Sequence, residues 1–136
     1  MQRPTTISHR TSLFEDAVAI VDAEYASELS LDDIARRVAS SRRQLQRAYA
    51  EIGETTFRDH LTRVRMNRAA DMLSSRSLTV REVAHRVGYR QPAQFAKAFR
   101  RYQGVAPSAF RANRNGRVAL HAAPQLSPAL AGSVAA

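Results

Sequence analysis

The chain of 136 residues has no cysteine and no tryptophan, and Lys97 is the lone lysine among its 21 basic residues. Without cysteine there are no disulfides, thiolate metal sites, zinc fingers or thiol catalysis. That lack also accords with a reducing compartment, so a cytoplasmic location is expected. No apolar run approaches the ~18 residues that a bilayer-crossing helix needs, so no membrane span is predicted. The opening Met1-Gln2-Arg3-Pro4-Thr5-Thr6 leads into no apolar segment, and no secretory signal is expected. Glycine and proline are sparse, at five residues each. Strand-like alternation is missing as well, and apolar residues recur instead at helical spacing.

Charge is unevenly placed. Residues 1–29 carry two arginines and five acidic residues, whereas residues 30–117 carry 19 basic and seven acidic ones. Residues 118–136 contain no Asp, Glu, Lys or Arg. A polyanion is the natural partner of such a middle segment, with nucleic acid ahead of a membrane surface. A solvated basic face is the plainer alternative.

The spacing predicts seven helices. Leu13, Phe14, Ala17, Val18, Val21 and Tyr25 form one stripe, giving a first helix over 12–27. Ser30 with Asp33, Thr56 with Asp59 and Thr79 with Glu82 read as capping boxes. They open helices at 31–38, 57–75 and 80–87. A helix over 42–52 stops at Gly53. Pro92 opens another that runs to 103, and Pro107 opens a last one over 108–114. The buried side of the long helix is Phe57, Leu61, Val64, Ala69 and Leu73.

Two stretches repeat. Ile34-Ala35-Arg36-Arg37-Val38-Ala39 matches Val83-Ala84-His85-Arg86-Val87-Gly88, and an amphipathic helix follows each. This is a helix-turn-helix pattern. Two short helices cross steeply, so a small residue, Ala35 or Ala84, sits where their backbones meet. The turn needs a residue tolerant of positive φ; Gly88 supplies one and Ala39 does not, so the first turn is expected to be strained or differently shaped. A generic bundle would not explain why the second helix of each pair is polar on its outer side.

Gly88-Tyr89-Arg90-Gln91-Pro92-Ala93-Gln94-Phe95-Ala96-Lys97-Ala98-Phe99-Arg100-Arg101, then Gly104, Pro107 and Phe110-Arg111, resembles the signature of the AraC/XylS family of bacterial transcription regulators. Leu45-Gln46-Arg47 and the run Leu61 to Leu73, with Arg65 and Ala69 or Ala70, resemble the first half of its DNA-binding domain. The likeness covers residues 12–114. It implies an all-α fold of about seven helices, with two helix-turn-helix subdomains joined by a long central helix as a homeodomain-like pair. The expected division is a flexible arm over 1–11, subdomains over 12–54 and 77–115, a linker helix over 55–76, and a disordered tail over 116–136. A helix of 19 residues is ~28 Å long, near the ~34 Å between major-groove entries on one side of DNA.

Carried over from the family, the base-reading positions fall on Arg43, Gln46 and Arg47, and on Pro92, Ala93, Gln94 and Lys97. Pro92 and Ala93 depart from the pattern, because neither side chain can hydrogen-bond a base. Readout by the second unit therefore rests on Gln94 and Lys97, and the first unit is expected to supply more of the specificity. Phosphate contacts are expected from Arg42, Arg81, Arg90, Gln91, Arg100, Arg101 and Arg111. Gln91 is a weak helix cap, and the Tyr49–Gly53 segment runs one residue short of the family pattern. Arg65, Arg68 and Arg86 are read equally well as structural residues, paired with acids such as Asp71 or Glu82.

The resemblance implies a sequence-specific regulator, chiefly an activator, that binds double-stranded DNA as a monomer and touches RNA polymerase. A low-specificity architectural protein, or the DNA-binding fragment of a longer ligand-responsive regulator, are the alternatives. No cofactor and no metal site are expected. His9, His60, His85 and His121 lack metal-ligand spacing, and His60 and His85 are read as surface or boundary residues. Asp32-Asp33 suits a helix amino end rather than acid–base work. No nucleophile pattern or phosphate loop is present, so no enzyme is expected.

Overall fold

The structure, a computed structural model, describes residues 4–75 and 77–116. Seven α-helices follow one another: α1 (Pro4–Glu24), α2 (Leu31–Arg37), α3 (Arg42–Ala48), α4 (Phe57–Ser75), α5 (Val80–Arg86), α6 (Pro92–Gln103) and α7 (Pro107–Gly116). A π-helical turn, Tyr49–Gly53, extends α3. No strand occurs among the described residues. The tail expected over 116–136 lies outside them, apart from Gly116 at the end of α7.

The helix boundaries follow from their caps. Ser30 accepts a hydrogen bond from the Asp33 backbone N–H at 3.0 Å, and Thr56 accepts one from Asp59 N–H at 3.1 Å. Thr79 and Glu82 alone form the full reciprocal box. The glutamate is long enough to reach back to the cap N–H; Asp33 instead pairs with Arg36 at 2.9 Å. Pro92 and Pro107 each occupy a first helical turn, where the missing N–H costs nothing.

The first helix corrects the sequence reading. It starts at Pro4 rather than residue 12, so residues 4–11 are its opening turns and not a flexible arm. No glycine or proline interrupts residues 5–24, and propagation past such a stretch costs little once a turn exists. Thr11 bonds back to the Ile7 carbonyl at 2.9 Å, and an ion pair joins Arg10 to Glu51. The helix ends three residues early, at Glu24, whose carbonyl accepts from both Ser27 N–H and Ser27 Oγ.

Two cores result. Leu13, Ala17, Val21, Leu31, Ile34, Ala35, Leu45, Ala48 and Tyr49 close the first, with Phe14, Phe57, Leu61 and Val64 against it. Met66, Ala69, Leu73, Val83, Ala84, Val87, Phe95 and Phe99 close the second, with Tyr89 and Phe110 against it. Each fully buried Leu, Val or Phe contributes about 1.5–3 kcal/mol relative to exposure. The amino half of α4 packs on the first core and its carboxyl half on the second, so one helix carries both units.

Candidate nucleic-acid interface

Both units turn in the same way. After α2, Ala39 N–H donates to Arg36 O at 3.2 Å and Ser40 N–H to Ala35 O at 2.8 Å. After α5, Gly88 N–H donates to His85 O at 3.1 Å and Tyr89 N–H to Ala84 O at 2.9 Å. These are two Schellman turns in identical register. Ala39 adopts φ +56° and Gly88 φ +102°. The first turn therefore keeps the shape of the second and accepts strain to do so. The π-helical turn over Tyr49–Gly53 closes onto Glu54 at φ +53°.

Each turn presents a polar helix. Ser41 caps α3 by accepting from Gln44 N–H at 3.1 Å, a cap visible as a serine just before the helix's arginines. Gln91 precedes α6 and makes no side-chain cap. On α3, Arg43, Gln46 and Arg47 are exposed; on α6, Gln94 and Lys97 are exposed. Their unit faces pack inward through Leu45 and Ala48, and through Phe95 and Phe99. Ala93 is exposed as well, while Pro92 is partly covered.

The polar and cationic residues around them fall into three groups. Arg81, Gln91, Arg100 and Arg101 are exposed. A second group is exposed but paired: Arg42 with Asp32 at 3.3 Å, Arg47 with Glu51 at 3.7 Å and Arg90 with Glu28 at 2.7 Å. Such surface pairs are worth about 0–1 kcal/mol, so a DNA phosphate can displace the carboxylate. The third group is turned inward. Arg111 donates from Nε to Leu73 O at 3.4 Å and from Nη2 to Leu78 O, so it ties α7 to the α4–α5 connection. The sequence reading made it a phosphate ligand; here two of its guanidinium nitrogens are engaged by backbone carbonyls, one in the last turn of α4 and one in the connection that follows.

Arg65 is structural, but through backbone carbonyls rather than carboxylates. Its Nε donates to Tyr25 O at 2.7 Å and its Nη2 to Ser27 O at 2.9 Å. Arg68 lies 5.2 Å from the centre of the Tyr25 ring. His60 also departs from expectation. It is 4% exposed, and its Nδ1 meets the Tyr49 hydroxyl at 2.7 Å. The sequence offered a signal for this: His60 shares a helical face with Val64, one turn on.

Shallow grooves flank α3. One of about 410 Å³ separates it from the start of α1, with Thr5, Thr6, His9, Arg43 and Arg47 on its walls. No helix of the described residues is long and apolar enough to cross a membrane. No cluster among them could hold a metal ion.

Two helix-turn-helix units, each offering an exposed polar and cationic helix, define a DNA-binding protein. A family model described as a helix-turn-helix domain matches residues 34–113. The chain is 32% identical over 92 residues to the Msm operon regulatory protein of Streptococcus mutans, covering 68% of this chain and 33% of that one. It is 28% identical over 107 residues to the transcriptional activator AarP of Providencia stuartii, covering 79% of each. An AraC-type transcriptional regulator from Chromobacterium violaceum superposes with TM-score 0.73 at 28% identity, over 80% of this chain and 97% of that one. The DNA-binding domain of AdpA, solved with a target DNA, gives TM-score 0.69 at 28% identity, over 73% and 89%. The chain belongs to the AraC-type helix-turn-helix family of transcription regulators. It spans about a third of the length of the Streptococcus relative.

Proposed function

We propose that α3 and α6 enter successive major grooves of one duplex, so that a single chain occupies an asymmetric promoter site. The observation that carries this reading is the pair of identical Schellman turns on one α4, each aiming a polar helix outward. Arg43, Gln46 and Arg47 read bases from α3; Gln94 and Lys97 read them from α6. Arg42, Arg81, Arg90, Gln91, Arg100 and Arg101 grip phosphates and set the register. The α3 half of the site is the more specific, because Pro92 and Ala93 offer no side-chain hydrogen bond. The chain acts as a monomer and activates by touching RNA polymerase. This work belongs in the bacterial cytoplasm, where the DNA is.

Selection of random duplexes by the purified chain at about 150 mM salt tests the reading, since non-specific binding weakens steeply as salt rises. Two enriched blocks about one helical turn apart would support it. Tight binding without enrichment would sink it in favour of an architectural protein of low specificity.

A further inference from the structure

We infer that Arg65 is the positioning residue that fixes the distance and rotation between the two recognition helices, and so sets which spacing of half-sites the chain accepts. The inference rests on the two-groove reading above.

Arg65 sits near the middle of α4, where the first core gives way to the second. Its bonds to Tyr25 O and Ser27 O hold the α1–α2 connection of the first unit. Its guanidinium carbon lies 5.6 Å from the centre of the Tyr89 ring, in the turn of the second unit. The same group passes so close to Gly88 that a Cβ there would come within 2.9 Å of Arg65 Cζ and 3.1 Å of Ala26 O. One side chain thus bridges backbone of one unit and the turn of the other. One neighbour reinforces it: Tyr25 of the α1–α2 connection packs against the second core.

The bridge needs the guanidinium's shape. A planar fork can donate to two carbonyls and still lay a face on a ring; an ammonium on a flexible stem cannot hold all three. With the bridge intact the two units move as one body. Without it only α4 and the packing of Tyr25 join them, and each can rock about the helix. A half-site moved by one base pair is displaced ~3.4 Å and turned ~34° about the duplex, a mismatch that a braced pair cannot follow.

The test compares the wild type with Arg65→Lys and Tyr89→Leu on duplexes whose two selected blocks are separated by one base pair fewer, the selected number, and one or two more. The wild type should favour one spacing by about tenfold, the loss of roughly one base contact. Both variants should compress that preference to about threefold or less while keeping the same block sequences. A second readout needs no DNA. The cysteine-free chain accepts spin labels at Ala19→Cys and His85→Cys, both exposed and one in each unit. The distance distribution should be narrow with Arg65 and broaden with Arg65→Lys or Tyr89→Leu. Should one variant fail to fold, as judged by its helical circular dichroism, the other carries both measurements. A folded variant with unchanged spacing preference and an unchanged distribution overturns the bridge and leaves the two-groove reading standing. A wild type that shows no two-block site overturns that reading instead, while the label distances still decide whether Arg65 braces the units.

Discussion

The hydroxyl of Tyr49, at the carboxyl end of α3, meets Nδ1 of buried His60 on α4 at 2.7 Å. Burial raises the tyrosine well above its usual range, so the phenol keeps its proton. The hydroxyl oxygen and Nδ1 share one hydrogen bond, whose direction is set by the imidazole tautomer. Burial, and next the charge of Arg63, lower the His60 value below the ordinary 6.5. The ring also faces Phe14 at 6.5 Å, and Asp22 acts on it weakly in the opposite sense.

That geometry predicts a pH dependence of stability. Below about pH 6.5 the unfolded chain takes up a proton at His60 that the folded chain refuses. Stability is therefore full above pH 6.5, falls as pH drops through that value, and levels once the folded imidazole protonates. Urea midpoints measured from about pH 8 to pH 5 should decline, and His60→Gln should remove most of the decline above about pH 5. Glu24 and Glu82, held low by Arg37 and by the Thr79 cap, act in the same direction only around and below the carboxylate range. An identical slope in the His60→Gln variant would show that His60 does not sense pH.

The two turns predict opposite responses to the same kind of exchange. Ala39 stands at φ +56°, a conformation that costs an L-residue about 1–2 kcal/mol, less the extra chain entropy of glycine. Ala39→Gly should stabilise the chain by about 0.5–1 kcal/mol. Gly88→Ala should destabilise it by more than about 1 kcal/mol, because φ is +102° and the new methyl meets Arg65. Thermal unfolding of the two variants checks this. Destabilisation by Ala39→Gly would mean the turn is held in another shape.

Most of the fold was legible because its signals are local. Ser30, Thr56, Thr79, Pro92, Pro107 and Gly104 mark helix ends through chemistry that acts within one turn; α4 begins, and α6 begins and ends, where those residues say. The base-reading candidates were legible as exposed residues on the outer faces of α3 and α6. What escaped depends on partners far along the chain. Arg111 and a surface arginine look alike in sequence; only the placing of Leu73 O and Leu78 O, more than thirty residues away, turns one inward. His60 is buried by Tyr49 and Phe14, and the opening turns of α1 are anchored by Glu51, far along the chain. Asp33 and Asp59 were read as closing capping boxes, but an aspartate does not bring its carboxylate back to the cap N–H as Glu82 does.

Arg111 therefore separates stability from binding. Removing a partly buried charged donor from two carbonyls should cost about 1.5–3 kcal/mol. Arg111→Ala should lower the unfolding temperature and, at a temperature where the chain stays folded, leave DNA affinity unchanged. A loss of affinity with unaltered stability would return Arg111 to the phosphate contacts.

The proposed roles of Arg47 and Arg100 in binding can be told apart. Arg47 is exposed on α3 beside Gln46 and is held only by Glu51 at 3.7 Å, an exposed pair that DNA can displace. Its planar fork suits the two acceptors on a guanine edge. Arg47→Ala should cost about 1–3 kcal/mol on the selected site and relax the preference at one base pair. Arg100 lies exposed in the last turns of α6, one turn beyond the proposed base-reading residue Lys97. Arg100→Ala should weaken binding to all duplexes alike and lower the slope of log affinity against log salt by about one. Titrations of both variants against selected and random duplexes at several salt concentrations separate the roles. Equal losses on both duplexes from both variants would mean that Arg47 grips the backbone as Arg100 does, and that sequence is read elsewhere.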